Sequence, residues 1–242
     1  MRKSIVLSTI SLFAALFFAV TEFLPGIPLY GLSSKSKIQV SIVLIPVYGV
    51  VLGPFLGSLS ILLGVILATL YPRPASNLLS YMNIISPTLG TFVSGYTSII
   101  FVENGNPRKV IKKLALVFST LIIFWIILPV GRMILLYVTL HIISTITALL
   151  YVYFYENIRV LRTDVLRAFI LSLVGIMTDH LVGSLNGLVF FTYIMGIKPK
   201  VLASIYISAI PLILIERITM IALGTLFTLS ILKIPTTLFI RK

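Results

Sequence analysis

The sequence predicts an all-α fold, a polytopic membrane bundle of six to eight transmembrane helices forming a single domain over 1–242. Three observations carry that prediction. Of the 242 residues, 59% are hydrophobic and only 10% charged, and the mean hydropathy is +1.15; a soluble domain of this size has no use for so much apolar surface. The apolar residues fall in long runs, several near or above the roughly 20 residues that cross a bilayer as a helix. The basic residues behind the net charge of +13 sit mostly in the short segments between runs, where they set topology rather than bind nucleic acid. Cysteine is absent, which excludes a disulfide framework, a thiolate metal site and a cysteine nucleophile.

Ser4–Leu24 is the first span, preceded by Arg2 and Lys3. The start MRKS before an apolar run resembles a signal peptide, but the run continues without a clear cleavage site, so a retained helix is expected. Ala15 and Ala19 form a small-xxx-small pair on it that can receive another helix. Pro25–Lys37 is a Pro/Gly/Ser loop long enough to fold over a cavity. Ile38–Leu70 then runs for 33 residues without a formal charge, too long for one crossing. Gly49, Gly53 and Gly57 bare the backbone along one helical stripe, and Pro54 lacks an N–H and clashes with the carbonyl four residues earlier. The expectation is two short helices, Ile38–Leu52 and Pro54–Leu70, meeting at Gly53-Pro54 near one membrane face; the alternative is one long kinked helix with ordinary small-residue packing, since membrane helices tolerate Pro kinks.

After the turn YPRPASN, Leu78–Val102 opens on a polar stretch holding Asn83, Ser86 and Thr88. Glu103–Lys113 reads as a charged loop and Leu114–Leu128 as a short span ending at Pro129-Val130-Gly131-Arg132, a turn or a second break. Met133–Tyr155 gathers aromatics towards its end, as an interfacial belt does. Arg159, Arg162 and Arg167 mark a basic loop before Ala168–Met195 and Val201–Leu232, which the GIKPK link joins. Threaded as eight crossings, the chain puts both termini and the loops 103–113 and 156–167 on one side. That side carries 12 of the 19 Lys and Arg residues, so the positive-inside rule makes it cytoplasmic, in a cell membrane. Removing both breaks keeps the termini together.

Charges inside a span cost a few kcal/mol or more at mid-bilayer and must face protein or a water-filled cavity. Ala168–Met195 carries Asp179 and His180 near its centre. Gly175, Asp179, Gly183 and Gly187 recur every four residues, which sets Asp179 on a glycine stripe facing another helix. Asn186 lies further along. Val201–Leu232 carries Glu216 and Arg217; neighbours point about 100° apart on a helix, so these two are expected to face different directions. The residues predict either a polar cavity lined by Asp179, His180, Asn186, Glu216 and Arg217 that binds a small polar molecule, or a structural pair such as Asp179 with Arg217. His141 reads as a lone helix-packing group, Arg132 as an interfacial one and Glu22 as a rim or solvated one. Gly49, Gly53, Gly57, Gly183 and Gly187 read as helix-packing positions.

There is no P-loop, no HExxH and no aspartate-rich pair of motifs, and the histidine spacing demands no metal. No catalytic residue and no cofactor is assigned. The order SLFAALFFAV, a Pro/Gly loop and then YGVVLGPFLGSLSILLG resembles the substrate-binding S component of energy-coupling factor (ECF) vitamin transporters, over about Ser11–Leu70. The resemblance implies a compact bundle, commonly of six helices, that captures a vitamin-like solute from outside. It also implies partners: a transmembrane coupling subunit and two ATPases. By that likeness Ala15 and Ala19 match the pair that packs on the coupling subunit, and Pro25–Lys37 the loop that closes over substrate. Metal-specific members carry a histidine just after the initiating methionine; here the chain reads Met1-Arg2-Lys3, which favours an organic solute. Two other readings stay open: a membrane-embedded enzyme acting on a lipid-like substrate, with Asp179, His180 and Glu216 as acid–base groups, and a stand-alone proton-coupled transporter.

Overall fold

The computed structural model describes residues 3–24, 27–28, 37–71, 78–155 and 157–234. They form an all-α polytopic bundle: α1 (Lys3–Phe23), α2 (Leu44–Leu70), α3 (Leu78–Met82), α4 (Ile85–Val102), α5 (Pro107–Ile127), α6 (Pro129–Met133), α7 (Leu135–Phe154), α8 (Asp164–Val189) and α9 (Pro199–Leu232). Among the described residues seven helical stretches are long and apolar enough to cross a membrane, with Val40–Leu70, Leu78–Val102 and Asp164–Ile194 each counting as one. The protein is a multi-pass membrane protein. Most of the expected loop over Pro25–Lys37, and the turn after Tyr71, lie outside the described residues; Ile27–Pro28 pairs antiparallel with Lys37–Ile38.

Two boundaries differ from those the sequence suggests. The segment Arg108–Lys113, expected as loop, is the start of α5: Pro107 occupies the first helical turn and the Asn106 side chain caps it, accepting from the Arg108 N–H at 2.9 Å. A cap and a Pro at the first turn outweigh the charge of the segment, because that turn has no intrahelical partners for its amides. In the same way α8 begins at Asp164, where the Thr163 hydroxyl caps the helix and Arg167 pairs with Asp164 at 3.0 Å. Pro129–Met133 resolves as a turn of helix between α5 and α7, closed by the Trp125 indole N–H donating to Gly131 O at 3.1 Å.

α8 is the axis, with sixteen of its 26 residues buried. α4 crosses it antiparallel at two glycines: a Cβ on Gly90 would stand 2.5 Å from Gly175 O, and Ser94 Oγ donates to Leu171 O at 3.0 Å just beside the crossing. α9 also runs antiparallel to α8, with Tyr206 on Ser184, Arg217 near Asp179 and Gly224 on Ser172.

The helical geometry of α2 breaks at Gly53, which has φ 76° and ψ −178°. Nine residues of unbroken helix advance about 13.5 Å, yet a Cβ on Gly57 would lie 2.7 Å from Tyr48 O. The chain therefore doubles back. Both arms also reach one short stretch of α1: Tyr48 donates to Phe13 O at 2.8 Å, and Gly64 backs onto Ala14 and Phe17. Gly95 of α4 sits against the Gly53-Pro54 tip, while Gly49 and Gly57 both press on Thr91. The two arms lie side by side in a hairpin whose open end, Val40 and Leu70, faces the start of α4. Because a helical glycine exposes its backbone, three strands of main chain meet here at distances that a side chain would forbid.

Candidate functional site

A cavity of about 700 Å³ opens at the end of the bundle where α1 and the α2 hairpin finish and α4 and α9 begin. Residues near these helix termini form its mouth, among them Glu22, Gln39, Thr69 and Asn83. Its floor lies near the middle of α8 and α9, at Asp179, His180, Glu216 and Arg217. Four of the five candidate binding residues thus line one cavity.

The floor is an ion cluster. Arg217 pairs with Glu216 through Nη2 and faces Asp179, with Nη1 3.8 Å from Oδ2. Asp179 and Arg217 are each 7% exposed, so one guanidinium serves two carboxylates in a largely desolvated place. The expectation that Glu216 and Arg217 face different directions is corrected by this pair. A 100° offset fixes only the Cα–Cβ vectors, and the long Arg stem swings its head group back to its neighbour. The two readings of Asp179 and Arg217, cavity wall and ion pair, hold together.

His180 is the end of a hydrogen-bonded chain. Its Nδ1 meets His141 Nε2 at 3.1 Å and its Nε2 meets the Tyr137 hydroxyl at 3.0 Å, which contacts Ser184 Oγ at 2.8 Å. His141, which the sequence presents as lone, is fully buried and paired with the second histidine. Trp125 stacks on Tyr137 with centroids 4.9 Å apart, and Tyr206 meets Tyr137 edge-on at 5.3 Å. This aromatic block, donated by α5, α7, α8 and α9, stands behind one wall of the cavity and orders its polar edge.

Asn186 is not on the cavity wall. Its amide donates to Met82 O at 2.9 Å and Asn83 Oδ1 at 3.2 Å, which ties α8 to the α3–α4 junction. Gly183 and Gly187 both line the cavity. The nearest atom to a Cβ on Gly183 would be Ser86 Oγ at 3.7 Å, whereas one on Gly187 would meet the Tyr206 hydroxyl at 2.6 Å. The tight crossing on that stripe belongs to Gly175. Ala15 is exposed on the outer face of α1 and Ala19 half-buried, next to Ala14, which packs inwards on Gly64. Glu22 is at the cavity mouth, and Arg132 is exposed on α6.

Tyr137, Ser184, Tyr206, Ser86 and Asn83 are cavity residues that the sequence reading passes over as site candidates. For Tyr137 a signal existed: it lies four residues before His141, hence on the same face of α7. Ser184 likewise follows His180 by four. Tyr206 carries no such signal, since a tyrosine near the end of a span is ordinary interfacial furniture. Among the described residues no group of three His, Asp or Glu side chains is placed to hold a metal ion.

No family model matches the chain, and no solved structure matches it. The chain is 29% identical over 239 residues to an uncharacterized protein of Methanocaldococcus jannaschii, an alignment that covers 96% of this chain and 72% of that protein.

Proposed function

We propose that the protein is the membrane solute-binding component of an ECF-type importer, which captures a vitamin-like small molecule and passes it through a partner driven by ATPases. The observation that carries this reading is the cavity: about 700 Å³, within the range of small-molecule sites, with ionisable groups at its floor. It opens at the end opposite Lys3, the Arg108–Lys113 cluster, Arg167 and Lys233. If those basic groups face the cytoplasm, the termini are cytoplasmic and the cavity faces outwards, as capture from outside requires. The missing P-loop fits energy supplied by a partner, and the small residue Ala15 on the exposed face of α1 offers a close-packing surface for a coupling subunit.

Native mass spectrometry of the gently solubilised protein from its own host tests this. A retained mass between about 100 and 600 Da, in the drug-like range of such cavities, together with ATPase subunits supports the reading. A lone protein carrying only lipid overturns it. One observation favours a second reading, a stand-alone proton-coupled transporter: the chain of His141, His180, Tyr137 and Ser184 leads from the core to the cavity wall. Proton-dependent uptake by the purified protein alone in vesicles would establish that alternative.

A further inference from the structure

The chain has six Asp and Glu residues against 19 Lys and Arg, yet its acids are not spread evenly. Glu22, Asp179 and Glu216 all line the one cavity, while among the described residues Arg217 is the sole Lys or Arg in its lining. The described lining is thus acidic in a strongly basic protein. Its floor alone sets two carboxylates against one guanidinium, and a net charge left in a desolvated place is costly unless something compensates it. The second observation is Arg217 itself. It is 7% exposed and lines the cavity, but its Nε and Nη1 make no hydrogen bond among the described residues. Nη1 stands 3.8 Å from Asp179 Oδ2, close enough to attract and too far to bond. A buried donor left unmade in this way is destabilising, and a ligand acceptor would satisfy it.

We propose that the cavity takes an organic cation that also carries a hydrogen-bond acceptor. Its positive group lies against Asp179, with Glu216 and Glu22 adding to the field, and its acceptor receives the Arg217 Nη1 proton. Anionic solutes of the same size are rejected. This rests on the cavity being the solute site, as proposed above, but not on the identity of any partner subunit.

The absence of cysteine allows a direct test on the purified, full-length protein. Ala209→Cys places one thiol on the cavity wall, and Met195→Cys places one outside it on the exposed end of the α8 stretch. Each is reacted with a cationic (trimethylammonium-ethyl) and an anionic (sulfonato-ethyl) methanethiosulfonate of similar size. The cation-to-anion rate ratio at Ala209→Cys, divided by that at Met195→Cys, should be about tenfold or more, as focused fields in clefts produce. Adding Glu22→Gln at the mouth, or Asp179→Asn at the floor, should each lower the ratio; the first keeps the test valid if the second misfolds. A normalised ratio near one, or an anion preference, overturns the proposal while leaving the importer reading to its own test. A preference that neither substitution changes also overturns it, because the field would then not come from these carboxylates.

Discussion

Arg217 is the residue on which the cavity floor depends, since it holds Glu216 directly and stands 3.8 Å from Asp179. Removing either carboxylate keeps shape and changes charge, so Asp179→Asn separates binding from folding. The expected outcome is that a copurifying solute falls to about a tenth of its wild-type occupancy, about 1.4 kcal/mol, with a small change in Tm; native mass spectrometry and a melting scan check it. Arg217→Ala is a harsher change, because it strands two carboxylates; loss of a partner from a buried pair costs about 3–5 kcal/mol, so both solute and thermal stability should go. The glycines divide by the space around them. Gly49→Ala would drive a Cβ to within 2.6 Å of Gly95 N, and overpacking of that kind costs about 1–3 kcal/mol. Gly183→Ala meets nothing nearer than 3.7 Å and should melt with the wild type. Equal Tm for Gly49→Ala and wild type would contradict the packing described at the hairpin.

Among the elements, the α2 hairpin is the one whose consequence reaches furthest. The left-handed φ of Gly53 makes Gly53→Ala cost about 1–3 kcal/mol of strain, measurable as a lower Tm. A sharper test concerns direction. A straight span from Val40 to Leu70 would put Gln39 and Tyr71 on opposite membrane faces; the hairpin puts them on the same one. In oriented vesicles of the cysteine-free protein, Gln39→Cys and Tyr71→Cys should therefore react with an impermeant maleimide from one and the same side. Reaction from opposite sides would rule out the hairpin. The Gly-Pro break was legible in the sequence, since Pro54 cannot continue the hydrogen-bond ladder. The identity of the surface that holds the arms together was not: Thr91 and Gly95 belong to another helix, and nothing in local propensity links them to Gly49. The capping of α5 by Asn106 was present in the sequence too, but the run of positive charge beside it reads as loop until the amides are accounted for.

For the whole molecule, the outer face of α1 is the surface on which the importer reading can be tested without disturbing the cavity. Ala15→Leu together with Ala19→Leu should abolish solute uptake in cells while leaving the solute bound to the purified protein; normal uptake in that double variant would remove the coupling role. The sequence by itself determined that this is a helical membrane bundle, because 59% apolar content leaves the bilayer as the only solvent able to receive it. It also determined which ionisable groups needed an explanation, because Asp179, His180, Glu216 and Arg217 stand in apolar runs, where a charge costs free energy whatever its neighbours. Only the tertiary structure decided that those four share one cavity, that Asn186 instead ties α8 to α3 and α4, and that His141 and Tyr137 extend the site into the core. The reason is physical. Burial cost is a property of each residue and its own segment, whereas a cavity is a property of distances between helices, set by where glycines such as Gly90 and Gly175 let backbones meet.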